Sequence, residues 1–221
     1  IHSSRNSIRH ILNGYAPRNE EESRIYGMKR GLDFIADRQN TITEENLHQL
    51  YQISTGDYLP DEDRLLPDRF YRHDVVYVVG GEASREGLPA QQLPEAMKRL
   101  VDFANAKDGI NELHKAAILH FAFAYYHPYF DGNGRTARLL HLWYLVQQGY
   151  PAALFTPFSR YIAESKAAYY KAYDRVEKNA LISGYTDVTP FLSYFCNEVY
   201  NRLQVDVTPP QADLQIYQAA L

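Results

Sequence analysis

Between Ile110 and Tyr126 the chain reads as a helix that is apolar nearly all round, with Ala116, Ala117, Ile118, Leu119, Phe121 and Phe123 spread over its circumference. A helix of that kind must be enclosed by protein, so it dictates a helical core. It has to end near His127, because Pro128 disfavours helical geometry in the residue before it. A second apolar helix starts around Gly134, carries Leu139, Leu140, Leu142, Leu145 and Val146, and stops at Gly149 with Pro151 beyond. The richest apolar stretch, Ala116 to Tyr126, falls short of the ~20 residues of a membrane span and contains His120, so no membrane partner is expected. Composition closes other routes. With 45% apolar residues, the 221-residue chain is neither disordered nor, with Cys196 as its single cysteine, a disulfide scaffold. A net charge of −4 argues against a general nucleic-acid binder. No signal peptide opens the chain, which begins Ile1-His2-Ser3-Ser4 rather than with Met, and the location expected is cytoplasmic.

The other elements follow from periodicity and caps. Glu20-Glu21-Glu22 opens a helix to about Asp37, with Ile25, Met28, Leu32 and Ile35 on one face. Thr43 caps another, carrying Leu47, Leu50 and Tyr51 and stopped by Gly56. From Gly56 to Pro89 helical periodicity disappears; Asp61-Glu62-Asp63 reads as a solvated loop, and Val75-Val76-Tyr77-Val78-Val79 before Gly80-Gly81 as a short β-hairpin. Helices resume from Leu93 to about Lys107, then from Ser159 as cap to about Lys178, and from Thr189 as cap to about Leu203. The expectation is a mainly all-α helical bundle with a β-hairpin. It is one domain over 1–221: a helical extension to about 58, a core over 59–204 and a loose tail over 205–221.

The chemistry lies between the two core helices, in His127-Pro128-Tyr129-Phe130-Asp131-Gly132-Asn133-Gly134-Arg135-Thr136-Ala137-Arg138. Glycines on both sides of Asn133 permit positive φ and close backbone approach. Amides of the loop and of the next helix's first turn then converge on one spot, which suits an anion. Arg135 and Arg138, three apart, share a face and add two cations there. Asp131 supplies a hard oxygen beside a phosphate site, the usual setting for Mg²⁺. His127 stands at the rim as a candidate general base. Together they make a phosphoryl or nucleotidyl transfer site. His114, His120 and His141 lack zinc-binding spacing and read as core or surface residues, and Cys196 reads as a buried small hydrophobe.

This segment resembles the signature of the Fic family, His-x-Phe-x-Asp/Glu-Gly-Asn-Gly-Arg-x-x-Arg. Every specified position matches except the third, where Tyr129 stands for Phe and brings a hydroxyl that needs a partner. The resemblance runs from about residue 20 to 200 and implies transfer of AMP from ATP to a Ser, Thr or Tyr hydroxyl of a target protein. It casts His127 as the base and Asp131 as the ligand of Mg²⁺. Gly132, Asn133, Gly134 and Arg135 become phosphate contacts, and Arg138 the partner of the γ-phosphate. Tyr169 and Tyr170 fall near the nucleobase, although both also suit helix packing. The hairpin, over about 71–89, becomes a flap whose Val75, Val76, Tyr77, Val78, Val79 and Gly80 pair with the target backbone. A homodimer is compatible with the resemblance.

Many family members carry an inhibitory helix with Ser/Thr-x-x-x-Glu-Gly/Asn, whose glutamate pairs with the second motif arginine. Ser193 is followed by Glu198 one residue too far on to fit it. Ile1-His2-Ser3-Ser4 resembles the stretch directly after that glutamate in members that carry it N-terminally, so the expectation is an inhibitory glutamate just upstream of Ile1. Other transfers on the same scaffold remain open: UMP, phosphocholine, or removal of AMP. Kinase activity of the Doc type is discounted because that branch has Lys where this chain has Gly134. A non-catalytic nucleotide-binding module is the remaining alternative.

Overall fold

The computed structural model describes residues 4–78 and 85–206. The chain divides into two compact units, Ile1–Phe155 and Thr156–Leu221. In the first unit, α1 (Arg5–Leu12) precedes α2 (Glu20–Ala36) and α3 (Glu44–Thr55). Each start has a side-chain cap: Ser4 accepts from the Ser7 amide, Asn19 from Glu22 and Thr43 from Asn46. These caps satisfy helix donors that would otherwise be orphaned. Periodicity alone places the first helix at Glu20; α1 is an addition of only eight residues. Ile1 to Ser3, the residues resembling the stretch after an inhibitory glutamate, lie outside the described residues.

After α3 the chain makes a single 3-10 turn, Asp61–Asp63, and then an antiparallel pair, β1 (Tyr77–Val78) with β2 (Arg85–Glu86), in register Tyr77 with Glu86 and Val78 with Arg85. The Gly87 amide extends the ladder to the Val76 carbonyl at 2.9 Å. The expected hairpin is therefore present but shorter than the apolar run, and Val79, Gly80 and Gly81 lie outside the described residues. Next come α4 (Leu93–Asn105), α5 (Glu112–Tyr126) and α6 (Asn133–Gln147). The helices α5 and α6 pack on each other along their length, with α4 against α5 and with α2 and α3 against α6. Trp143, Leu139, Leu140, Leu119 and Phe123 are fully buried there. Burying side chains of this size contributes about 2 kcal/mol each, which makes this hairpin of helices the core of the unit.

In the second unit, α7 (Phe158–Glu164), α8 (Lys166–Ser183), α9 (Thr189–Tyr194) and α10 (Asn201–Asp206) pack around Tyr169, Tyr173, Phe191 and Phe195. Two expectations are corrected here. The helix from Ser159 to about Lys178 is broken at Ser165, whose hydroxyl bonds the Tyr161 carbonyl and the Tyr194 hydroxyl, both at 2.7 Å. Thr189 is not a cap: Val188 precedes the helix, and Asp187 accepts from the Thr189 amide. A π turn over Phe195–Tyr200 joins α9 to α10, and Cys196 within it is only partly buried.

Candidate active site

His127 ends α5 in the left-handed conformation, φ 54° and ψ 61°. For a residue with a Cβ that geometry costs about 1–2 kcal/mol, so the surroundings must hold it. They do so through main-chain atoms. The His127 amide donates to Phe123, and its carbonyl accepts from the Arg72 Nε at 2.8 Å. The ring Nδ1 lies 3.3 Å from the Ala124 carbonyl. A carbonyl can only accept, so Nδ1 carries the proton and Nε2 the lone pair. Burial, with Arg85 and Arg72 nearby, pushes the imidazole down to about 4, and it is neutral at physiological pH.

The loop after His127 is closed by Asn133. Its Oδ1 accepts from the Tyr129 amide at 2.9 Å and its Nδ2 donates to the Tyr129 carbonyl at 2.7 Å. Both side-chain polar atoms are thus committed inside the loop, and what Asn133 presents outward is its backbone N–H. Gly132 sits at φ 82°, and a Cβ there would come 2.5 Å from the Thr55 methyl. Left-handed backbone and close approach both demand glycine. No side chain caps α6. The first amides of a helix have no intrahelical acceptor, and their dipole favours negative charge, so Asn133, Gly134 and Arg135 present N–H groups suited to an anion. A Cβ on Gly134 would meet nothing closer than the Arg138 Nη1 at 3.5 Å. Space, rather than backbone conformation, is what this glycine supplies.

Arg135 Nη2 bonds Asp131 Oδ2 at 3.0 Å, and its guanidinium lies 4.7 Å from the centre of the Tyr58 ring. Asp131 is half-exposed, and Oδ1 makes no hydrogen bond among the described residues. Arg138 lies one turn further on, beside Gly134. The elements at the opposite end of the loop are cation-capped. Arg85 reaches the Tyr125 and Ala124 carbonyls at 2.9 and 3.3 Å, and Arg72 the Tyr126 carbonyl at 3.5 Å. The negative end of α5 is thereby satisfied within the protein, whereas the positive end of α6 is left for a ligand. Neither arginine is singled out by pattern; each lies in the irregular stretch between helices.

Tyr129 is fully buried, stacked on Tyr51 with ring centres 3.6 Å apart. The partner expected for its hydroxyl is missing among the described residues. Along the hairpin, Val75 and Tyr77 are exposed while Val76 and Val78 are partly covered, a period-two pattern, and the hairpin is rooted where Leu88 N–H meets the Tyr126 carbonyl at 3.1 Å. The structure thus brings His127, Asp131, Gly132, Asn133, Gly134, Arg135 and Arg138 together with the hairpin in the first unit. Tyr169 and Tyr170 belong to the second. There Tyr169 is buried against Tyr173, Phe191 and Tyr194, a packing role. His120 and His141 are buried in the α5–α6 core, and His114 is exposed.

Comparison with known proteins agrees with this geometry. The Fic/DOC family model matches residues 41–145, which contain α3, the hairpin, α5, the whole motif and nearly all of α6. The protein adenylyltransferase fic-1 of Caenorhabditis elegans is 31% identical over 181 residues, covering 79% of this chain and 31% of that protein. The protein adenylyltransferase Fic of Drosophila willistoni is 29% identical over 140 residues, covering 61% and 26%. The chain therefore spans less than a third of either relative. Among solved structures, a Fic family protein from Desulfovibrio desulfuricans G20 has the same fold at a TM-score of 0.69 and 20% identity, covering 95% of this chain and 62% of that one. Fic-1 from C. elegans matches at 0.62 and 22%, covering 92% and 57%. With the motif matched at every specified position but Tyr129, its residues gathered around one helix start, and the family model spanning them, the chain belongs to the Fic/DOC family.

Proposed function

We propose that the chain transfers AMP from ATP to a Ser, Thr or Tyr hydroxyl of a target protein. The observation that carries this reading is a neutral His127, its lone pair on Nε2, at the rim of an uncapped helix start that also bears Arg135 and Arg138. Its relatives named as protein adenylyltransferases support the same reaction. In the step, His127 Nε2 takes the proton of the target hydroxyl as its oxygen attacks the α-phosphorus. The bond to the bridging oxygen breaks, pyrophosphate leaves, and the target keeps AMP as a phosphodiester. In-line transfer of this kind depends on positioning and charge stabilisation. The amides at the start of α6 and the two arginines serve both, and the outer edge of β1 offers free backbone groups on which a target strand can align.

The residues present suit Mg²⁺. Asp131 offers a half-exposed hard oxygen, and among the described residues no group of three or more His, Cys, Asp or Glu forms a protein cage. One carboxylate plus substrate phosphate oxygens is how Mg²⁺ is commonly held. When bound it would neutralise polyphosphate charge.

Labelled ATP tests the reading. The wild type is expected to put α-phosphate label on protein and His127→Ala to lose at least ~100-fold of the rate, the low end for a general base. ATP affinity should stay within about two-fold, since the histidine serves the hydroxyl rather than the phosphates. Label arriving from the γ-phosphate instead would make the protein a kinase and overturn the proposal.

A further inference from the structure

Resting on the adenylyl-transfer reading, we infer that Arg72 is the positioning residue that holds His127 and the hairpin in register with one another. Arg72 stands 55 residues before His127 and is 2% exposed. Its Nε donates to the His127 carbonyl at 2.8 Å and its Nη1 to the Asp74 carbonyl at 2.5 Å. Nη2 donates to the Leu88 carbonyl and, at 3.5 Å, to that of Tyr126. The Arg72 amide adds a bond to the Pro128 carbonyl at 2.9 Å. One side chain therefore ties together the outgoing leg of the hairpin, its returning leg, the end of α5 and the carbonyl of the proposed base.

These partners are main-chain carbonyls. A buried guanidinium is tolerated only when its N–H groups are satisfied, and its planar fork can reach several acceptors at fixed angles. A lysine ammonium at the same place keeps the charge but cannot span that spread of carbonyls. The second support is Gly87, next to the ladder end. A Cβ on it would lie 2.7 Å from the Arg72 Nη2, 2.9 Å from a Val76 methyl and 3.2 Å from the His127 Cβ. Hairpin, arginine and histidine meet there with no room for one carbon more. Because the target strand aligns on the hairpin while the base sits on α5, the distance between hydroxyl and Nε2 depends on this junction. A misplacement of about 1 Å can cost ~100-fold in rate.

The test uses Arg72→Lys and Gly87→Ala beside the wild type. In each variant kcat for transfer of α-phosphate label is expected to fall ten-fold or more, with the Kd for ATP within two-fold. Loss of folded protein would instead lower binding capacity and rate together. In Arg72→Lys, amide hydrogen exchange over 86–89 and 126–130 should quicken at least ten-fold. The inference is overturned if either variant keeps kcat within two-fold, or if exchange over both segments is unchanged in Arg72→Lys. If Arg72→Lys does not fold, Gly87→Ala decides. If the wild type transfers no label, the adenylyl-transfer reading falls, and the exchange measurement by itself decides whether Arg72 locks His127 to the hairpin.

Discussion

The departure of Tyr129 from the family's phenylalanine shows how far one residue can be read in isolation. Its ring packs as a phenylalanine would, face to face with Tyr51. Its hydroxyl, buried with no hydrogen-bond partner among the described residues, carries a desolvation cost that no bond among them offsets. Tyr129→Phe is therefore expected to leave stability unchanged or raise it by up to about 1 kcal/mol, read as a higher urea midpoint with unchanged slope. A loss of more than about 1 kcal/mol would mean that the hydroxyl is satisfied. At the same scale, the motif glycines turn out to do different work. Gly132 is required by positive φ and by Thr55, whereas Gly134 keeps space beside Arg138.

At the scale of elements, the approach of α2 to α3 depends on Gly27. A Cβ there would fall inside contact distance of the Ser54 carbonyl oxygen and 2.9 Å from its carbon. Backbone cannot yield as a side chain can. Gly27→Ala should cost about 1–3 kcal/mol from overpacking, despite a gain of about 1 kcal/mol in helix propensity. Gly31→Ala meets a Leu139 methyl at 2.8 Å, a flexible group, and should cost less. Denaturant midpoints of the two variants check the order; equal costs would refute it. Element boundaries were legible where caps and periodicity are local, as at Thr43 and in α5 and α6. The break between α7 and α8 was not. Ser159 to Lys178 has a continuous helical pattern, and what interrupts it is the Ser165 hydroxyl caught between Tyr161 and Tyr194, the latter 29 residues away.

At the scale of the molecule, burial of three histidines makes the fold sensitive to acid. Burial lowers His127 to about 4 and His141 to about 3, and takes His120 well below its ordinary value, with His141 and Arg138 adding repulsion. In the unfolded chain all three titrate near 6.5. Between those limits the unfolded state binds more protons, so stability rises with pH and is lost as pH falls below about 6.5, by up to ~1.4 kcal/mol per pH unit for each histidine. Glu22, held at about 2 first by its hydrogen bond to Arg18, adds a loss in the same direction below its ordinary 4.5. The unfolding free energy measured between pH 7.5 and 5 should therefore fall steeply. His141→Gln should make that fall shallower by about one proton's worth, and an unchanged slope would show that His141 is not buried neutral.

By itself the sequence determined the two apolar helices, the tight glycine-bearing loop between them and the grouping of His127, Asp131, Arg135 and Arg138 around it. These depend on neighbours within a dozen positions, where side-chain period, proline and glycine act directly. The tertiary structure alone decided that His127 is held neutral with Nε2 bearing the lone pair, and that both amide atoms of Asn133 are used within the loop. It also decided that a buried Arg72, 55 positions away, joins the hairpin to the histidine. Protonation, desolvation and carbonyl capture depend on what surrounds an atom in space, and no local spacing encodes that.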